Sequence, residues 1–366
     1  MRKFVSLFLS TLIILGSLTS CGYVVIGEEV KETEPVRIET TVRESDADLS
    51  EETTAENVAE TTENATESHY TFNPHVCSQF MTELMGEEMR DTYYNLVDCV
   101  LAGETSFACP DKETFDWVLG QCPYLLFPVI DEYITEAEGI SYEDGVAYIQ
   151  YKIPYEEFKV KLQEFEDITV NILNEVLDDD YSDFEKAFAI YQYFVTHYAY
   201  DYYAEEHLGE PEIDEMLSGY RLLTQGIGIC QEISVAYSFL LLEAGVDATV
   251  MKGVRNYDNA HHQWSYITID GNYYHVDPTF GLGFAESLAY FLMTDKDRLE
   301  NDGFDPADYI PCSVYAQNHE YPDITAADDT FSHFRISSFL EWNTDENKIL
   351  CEDSYGTTSW FEYGDK

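Results

Sequence analysis

Apolar positions along the chain fall into two periodic styles. Met81, Leu84, Met85, Met89, Leu96, Val97, Val100 and Leu101 recur at spacings of three and four, which predicts a helix with one buried face. A second helix is predicted from Asp111, and the alternation of Ala147, Ile149, Tyr151 and Ile153 predicts a strand over 146–153, ended by Pro154. Phe158, Leu162, Phe165, Ile168, Ile172, Leu173 and Val176 mark a long amphipathic helix. Ser182-Asp183-Phe184-Glu185 then reads as a capping box ahead of the aromatic stripe Phe184, Phe188, Tyr191, Val195 and Tyr198.

The style changes at Cys230. Gly226-Ile227-Gly228-Ile229 leads into a helix whose face is Ile233, Ala236, Tyr237, Leu240 and Leu241, stopped by Gly245, so Cys230 lies at or beside a helix N-terminus. Strand-like runs follow at 246–254, 263–269 and 272–277. The last two flank Asp270-Gly271, a strong hairpin signal. With those two residues as the turn, Ile269 pairs with Asn272 and Trp264 faces Asp277. His262 then lies diagonally from Asp277 on the same face, within reach of an imidazole–carboxylate hydrogen bond. A slip of one residue would bring His261 there instead.

Composition narrows the function. The 366 residues carry 71 Asp+Glu against 19 Lys+Arg, a formal net charge of -52. A surface so negative repels phosphate backbones, which excludes nucleic acid as a partner. With 45% hydrophobic residues there is still ample material for a core. Part of the charge lies in residues 28–68, which hold 14 acidic and 3 basic residues but no aromatic residue and no glycine. Such a stretch cannot bury enough apolar surface to offset its ordering entropy, so an extended, self-repelling tether is expected there, with a reach of roughly 35 to 40 Å.

Ahead of it, Arg2 and Lys3 precede the apolar run 4–15 and the small residues 16–22, the pattern of an export signal too short to span a membrane. Leu18-Thr19-Ser20-Cys21 resembles the lipobox of bacterial lipoproteins, which implies lipidation of Cys21. The expected organisation is a signal peptide at 1–20, a lipidated Cys and acidic tether at 21–70, a mainly helical region at 71–180, a catalytic core at 181–300 and a β-rich extension at 301–366. The location implied is the extracellular face of the cell membrane, with the lipid as the sole membrane contact.

A thiol at a helix N-terminus is favoured as thiolate by the free N–H groups and the helix dipole, and a neighbouring imidazolium adds to this. A carboxylate on the second ring nitrogen fixes the tautomer of that imidazole. Cys230, His262 and Asp277 offer these three roles. Gly226 to Cys230, Gly245-Val246, Val250-Met251-Lys252-Gly253, His262-Gln263-Trp264 and Asp270 to Thr279 together resemble the core of the transglutaminase-like superfamily, as do Tyr200-Asp201 and 290–295. The resemblance covers roughly residues 183 to 295. It implies an α+β, papain-like/transglutaminase-like fold in which the helix of the catalytic Cys packs on an antiparallel sheet. Cys230 would be nucleophile, His262 acid and base, and Asp277 the orienting residue, acting on peptide or isopeptide amides through a thioester.

Two departures from the family pattern stand out, Gln231-Glu232 after the Cys, where a small residue is common, and Phe280, where Trp is frequent. Both are expected at the edge of the site. For the oxyanion, the N–H of Cys230 is the natural donor, and Gln225 or Tyr220 is a further candidate. No metal or other cofactor is expected: His261, His275 and Asp258 lack the paired-ligand spacing of a metal site. Hydrolysis is favoured over crosslinking, with a peptide or protein substrate. The alternative is an inactive domain serving as a binding or adhesion module. Apart from Cys21 and Cys230, six cysteines remain, Cys77, Cys99, Cys109, Cys122, Cys312 and Cys351; they allow 15 disulfide connectivities, or none.

Overall fold

A computed structural model describes residues 70–125, 127–134, 140–311 and 325–364, with the side chains of 120–125 and 311 excepted. The expected signal peptide, Cys21 and the tether up to residue 69 lie outside the described residues. So do the side chain of Cys122 and all of Cys312. Cys77, Cys99, Cys109, Cys230 and Cys351 are not in disulfides.

The first apolar stripe forms two helices rather than one, α1 (Gln79–Met85) and α2 (Glu87–Ala102). Gly86 separates them at φ +93°, a conformation that suits glycine and breaks the helix there. The stripe itself is buried on both sides of the break, at Met81, Leu96, Val97 and Val100. After β1 (Ser106–Ala108), α3 (Lys112–Leu125) begins where Asp111 accepts a hydrogen bond from the Thr114 N–H. The strand expected over 146–153 is shorter: β2 (Ser141–Glu143) and β3 (Val146–Tyr148) complete a small antiparallel sheet with β1, and beyond it Tyr151 only bridges Ile134. Ala147 and Ile149 nevertheless face the core.

The long helix α4 (Tyr155–Val176) precedes α5 (Asp183–His197), whose capping box is formed by Ser182 and Glu185. Both the Ser182 hydroxyl and its N–H donate to Glu185 Oε2. The aromatic stripe of α5 is buried, and the C-terminal residues pack against it: Tyr363 stacks on Phe184 at 4.3 Å between ring centroids, and Phe339 and Trp342 meet Phe188 edge-on.

The central part follows with β4 (Ala199–Tyr200), the short helices α6 (Tyr202–Glu206) and α7 (Pro211–Asp214), α8 (Gly219–Gln225), β5 (Ile227–Gly228) and α9 (Cys230–Glu243). α9 is buried along most of its length and packs on β6 (Ala248–Val254) and β7 (His261–Ile269). With β8 (Asn272–Val276) and β9 (Ile310–Pro311) these form an antiparallel sheet in the order β8-β7-β6-β9. Asp270 and Gly271 both have positive φ, at 51° and 77°, as a tight two-residue hairpin turn requires. The register is Ile269 opposite Asn272 through Ser265 opposite Val276, the one the turn predicts.

A polar seam joins helix to sheet, where the Ser238 and Ser265 hydroxyls lie 2.9 Å apart and Ser265 donates to the Ser234 carbonyl. Asp247, at the start of β6, caps α1 from a distance by accepting from the Ser78 hydroxyl and the N–H groups of Gln79 and Phe80. After β8 come the short α10 (Pro278–Gly281), a π-helical turn at Arg298–Asp302, and the antiparallel meander β10 (Ser337–Asn343), β11 (Lys348–Asp353) and β12 (Thr358–Glu362).

Candidate active site

Cys230 is the first residue of α9 and is 7% exposed. The first-turn N–H groups of a helix have no partner within it, so this end favours negative charge on a thiolate or an oxyanion. A relay of charged side chains fixes the helix start. Glu232 accepts from the Ile229 N–H through Oε2 and from the Ser218 N–H through Oε1, each at 3.0 Å. Arg221 on α8 grips both oxygens of Glu232, Nε to Oε1 at 2.8 Å and Nη2 to Oε2 at 2.6 Å, and donates through Nη1 to Asp201 Oδ2 at 2.8 Å. Asp201 in turn caps α6 by accepting from the Ala204 N–H. Glu232 therefore does not sit at the edge of a substrate site: it is 1% exposed and holds α6, α8 and α9 together.

His262 projects from β7 beside the thiol. The hairpin register brings its Nε2 to 2.7 Å from Asp277 Oδ2, with both groups buried. The ring hydrogen-bonds the Cys230 side chain, and with Nε2 committed to Asp277, Nδ1 is the nitrogen left to exchange a proton with Sγ. Burial opposes the imidazolium, but the Asp277 charge and hydrogen bond, together with Cys230, outweigh it and carry His262 up to about 9. Asp277 is held below the usual carboxylate range: burial works against its charge, and His262, Arg298 and the Phe280 N–H override it. Phe280 stacks flat on the imidazole, 4.4 Å between centroids at 6°, so an aromatic ring covers the histidine.

The other histidine candidates have separate settings. His275 Nδ1 accepts from the Trp264 indole N–H at 2.8 Å, and its Nε2 meets Asp295 Oδ1 at 2.8 Å. Accepting at Nδ1 makes it the neutral tautomer, and burial holds its pKa down. Asp258 pairs with Arg255, and His261 is exposed. The Tyr220 hydroxyl donates to Glu164 on α4 at 2.7 Å, and Gln225 is exposed in the last turn of α8, with no hydrogen bond to Cys230 or His262 among the described residues. The first-turn N–H groups of α9 adjoin the thiol, since Cys230 opens that helix.

Two charged neighbours escaped the sequence reading. Glu205 on α6 is 7% exposed and interacts electrostatically with Cys230 and His262; burial first, and then Cys230, push its carboxyl up to about 7. In sequence it is one of two adjacent glutamates and reads as solvated. Arg298 is fully buried beside Asp277. Nothing in its local sequence marks it.

Residues 170–278 match the family model described as Transglutaminase-like superfamily. The protein thus has mixed helix and sheet with a transglutaminase-like domain. No curated protein matches the chain. Among solved structures, it is similar to a candidate cysteine protease from Cytophaga hutchinsonii (13% identity, 39% of this chain and 41% of that one, TM-score 0.28). It is similar also to a protein described as a TGase (16% identity, 40% and 44%, TM-score 0.28). A third is LapG of Legionella pneumophila in its EGTA-treated form (11% identity, 44% and 85%, TM-score 0.30). The chain spans less than half the length of the first two.

Proposed function

We propose that this protein is a thiol enzyme that cleaves peptide or isopeptide amides through Cys230, His262 and Asp277. The observation that carries the reading is the hydrogen-bonded series at the N-terminus of α9: the Cys230 side chain on His262, and His262 Nε2 on Asp277 at 2.7 Å, all buried. In the proposed reaction the Cys230 thiolate attacks the amide carbonyl carbon and forms a C–S bond. The oxyanion faces the first-turn N–H groups of α9. As the C–N bond breaks, the imidazolium gives its proton to the leaving amine and a thioester remains. Water, deprotonated by His262, then attacks the thioester carbonyl, releasing the acid and restoring the thiolate. Water is the acceptor we propose because it needs no second binding channel, whereas a crosslinker must also admit an amine. The signal-like residues 1–20, the lipobox-like Cys21 and the acidic tether support placing this activity at the outer cell surface, on a lipid anchor.

Iodoacetamide labelling across pH tests the reading. Burial raises Cys77 and Cys351 to about 11 and lifts Cys99 and Cys109 as well, so these thiols should react slowly. Cys230 should be alkylated selectively below pH 7, and His262→Ala should abolish that selectivity. If Cys230 reacts no faster than a free cysteine peptide, the domain is a binding module and the enzymatic reading fails.

A further inference from the structure

The match to the family model ends at residue 278, yet the carboxylate that holds His262 is itself held from beyond that point. Arg298 opens the π-helical turn Arg298–Asp302 and is fully buried. Its Nη1 lies 3.2 Å from Asp277 Oδ2, the same oxygen that meets His262, and 3.0 Å from Asp302 Oδ2. Arg335, in the turn leading to β10, reaches the other oxygen of Asp302 at 3.0 Å. Charges of alternating sign therefore run from Arg335 through Asp302, Arg298 and Asp277 to His262.

The Arg298 guanidinium is held by ring faces rather than by its full fork of donors. It lies 4.3 Å from the Trp264 ring centroid and 4.6 Å from that of Phe304, and its Nε and Nη2 have no hydrogen-bond partner among the described residues. An arginine serving only to tie elements together would gain most by using those donors. Here two are left unused while one nitrogen is shared between Asp302 and the oxygen that faces the histidine. The Asp277 carboxylate is consequently divided between two cations, so it supports the imidazolium less than an undivided carboxylate would.

We infer that Arg298 is a positioning residue of the thiol site, fixing the Asp277 carboxylate and lowering the proton affinity of His262 so that the ring readily yields its proton to a leaving amine. This rests on Cys230, His262 and Asp277 acting as proposed above. Cys230 from α9, Glu205 from α6 and Asp277 at the start of α10 face His262, while Tyr191, His275, Tyr290 and Arg298 face Asp277. Of these, Arg298 brings its guanidinium to 3.2 Å from the Asp277 carboxylate.

The test is the pH dependence of Cys230 alkylation by iodoacetamide in the full-length protein, read by mass spectrometry of the Cys230 peptide. The upper break of that profile marks loss of the His262 proton. Arg298→Met should move the break to higher pH by about one unit, the scale of one nearby charge, whereas Arg298→Lys should leave it in place. Asp302→Asn, which deprives Arg298 of its other counterion, should move it to lower pH. A loosened site would not move the two variants in opposite directions. Should Arg298→Met fail to fold, Asp302→Asn against Arg298→Lys decides the matter. An upper break that stays put in both charge-changing variants, or moves the same way in both, overturns the role of Arg298. A wild-type profile with no enhanced reactivity below pH 7 overturns the thiol-site reading itself and the inference with it.

Discussion

Replacing Arg221 by methionine perturbs the relay that sets the start of α9. The side chain donates three hydrogen bonds to two buried carboxylates, those of Glu232 and Asp201, which are 1% and 8% exposed. Methionine fills much of the volume and leaves both carboxylates without their cation. Removing one partner of a buried ion pair costs about 3 to 5 kcal/mol. At about 2 to 4 °C per kcal/mol, thermal unfolding should fall by about 10 °C at pH 7.5. The deficit should also depend on pH. Burial already raises the Glu232 carboxyl against Arg221 and the Ile229 and Ser218 N–H groups; without the Arg221 charge it rises further above the unfolded value, so the folded state binds a proton that the unfolded chain releases. A raised carboxyl costs stability above its unfolded value, and the deficit should therefore shrink as pH falls from 7.5 toward 5. The double variant Arg221→Met with Glu232→Gln should recover part of the loss at pH 7.5. Circular dichroism melts of the three proteins at both pH values suffice. A loss below about 2 °C, or one that grows toward pH 5, would refute the reasoning.

Glu205→Gln removes a carboxyl that ionises near pH 7 beside the thiol. The folded carboxyl is raised, so its ionisation costs stability increasingly as pH climbs from about 4.5 through 7; the gain in melting temperature from the substitution should be absent at pH 4 and present at pH 8. The same change should speed Cys230 alkylation by the anion iodoacetate at pH 8, by up to about tenfold for one neighbouring charge, and leave the rate at pH 5.5 unaltered; equal ratios at both pH values would place Glu205 away from the thiol. Gly253→Ala would set a Cβ 2.6 Å from the Trp264 ring and 3.3 Å from Phe304, the rings that sandwich Arg298. It should cost about 1 to 3 kcal/mol in urea unfolding, and an unchanged midpoint would show that the rings can shift freely.

What was legible in the sequence was local or followed from a turn. The Ser182–Glu185 box, the helix opening at Cys230 and the Asp270-Gly271 hairpin each rest on residues close in the chain, and the hairpin register alone brings His262 to Asp277. The break at Gly86 was hidden because the apolar spacing continues across it, and periodicity does not report a single reversed φ. The charged groups around the site were hidden for a different reason. Arg221 lies 20 residues from Asp201 and 11 from Glu232, and Arg298 lies 21 residues beyond Asp277, in a chain where acidic residues abound. Charges so placed read as surface until the fold buries them in pairs. Glu232 shows the consequence: expected at the edge of the site, it is a buried cap on α9.

In the proposed reaction Cys230 forms an acyl bond with an amide substrate. Intact-protein mass spectrometry after rapid acid quench of reactions with a library of peptides and isopeptides tests it directly. The expected product is an acyl adduct that maps to Cys230, decays in water to the free acid and is missing from Cys230→Ala. An adduct that persists in Cys230→Ala, or no adduct and no cleavage with any member of the library, would contradict it.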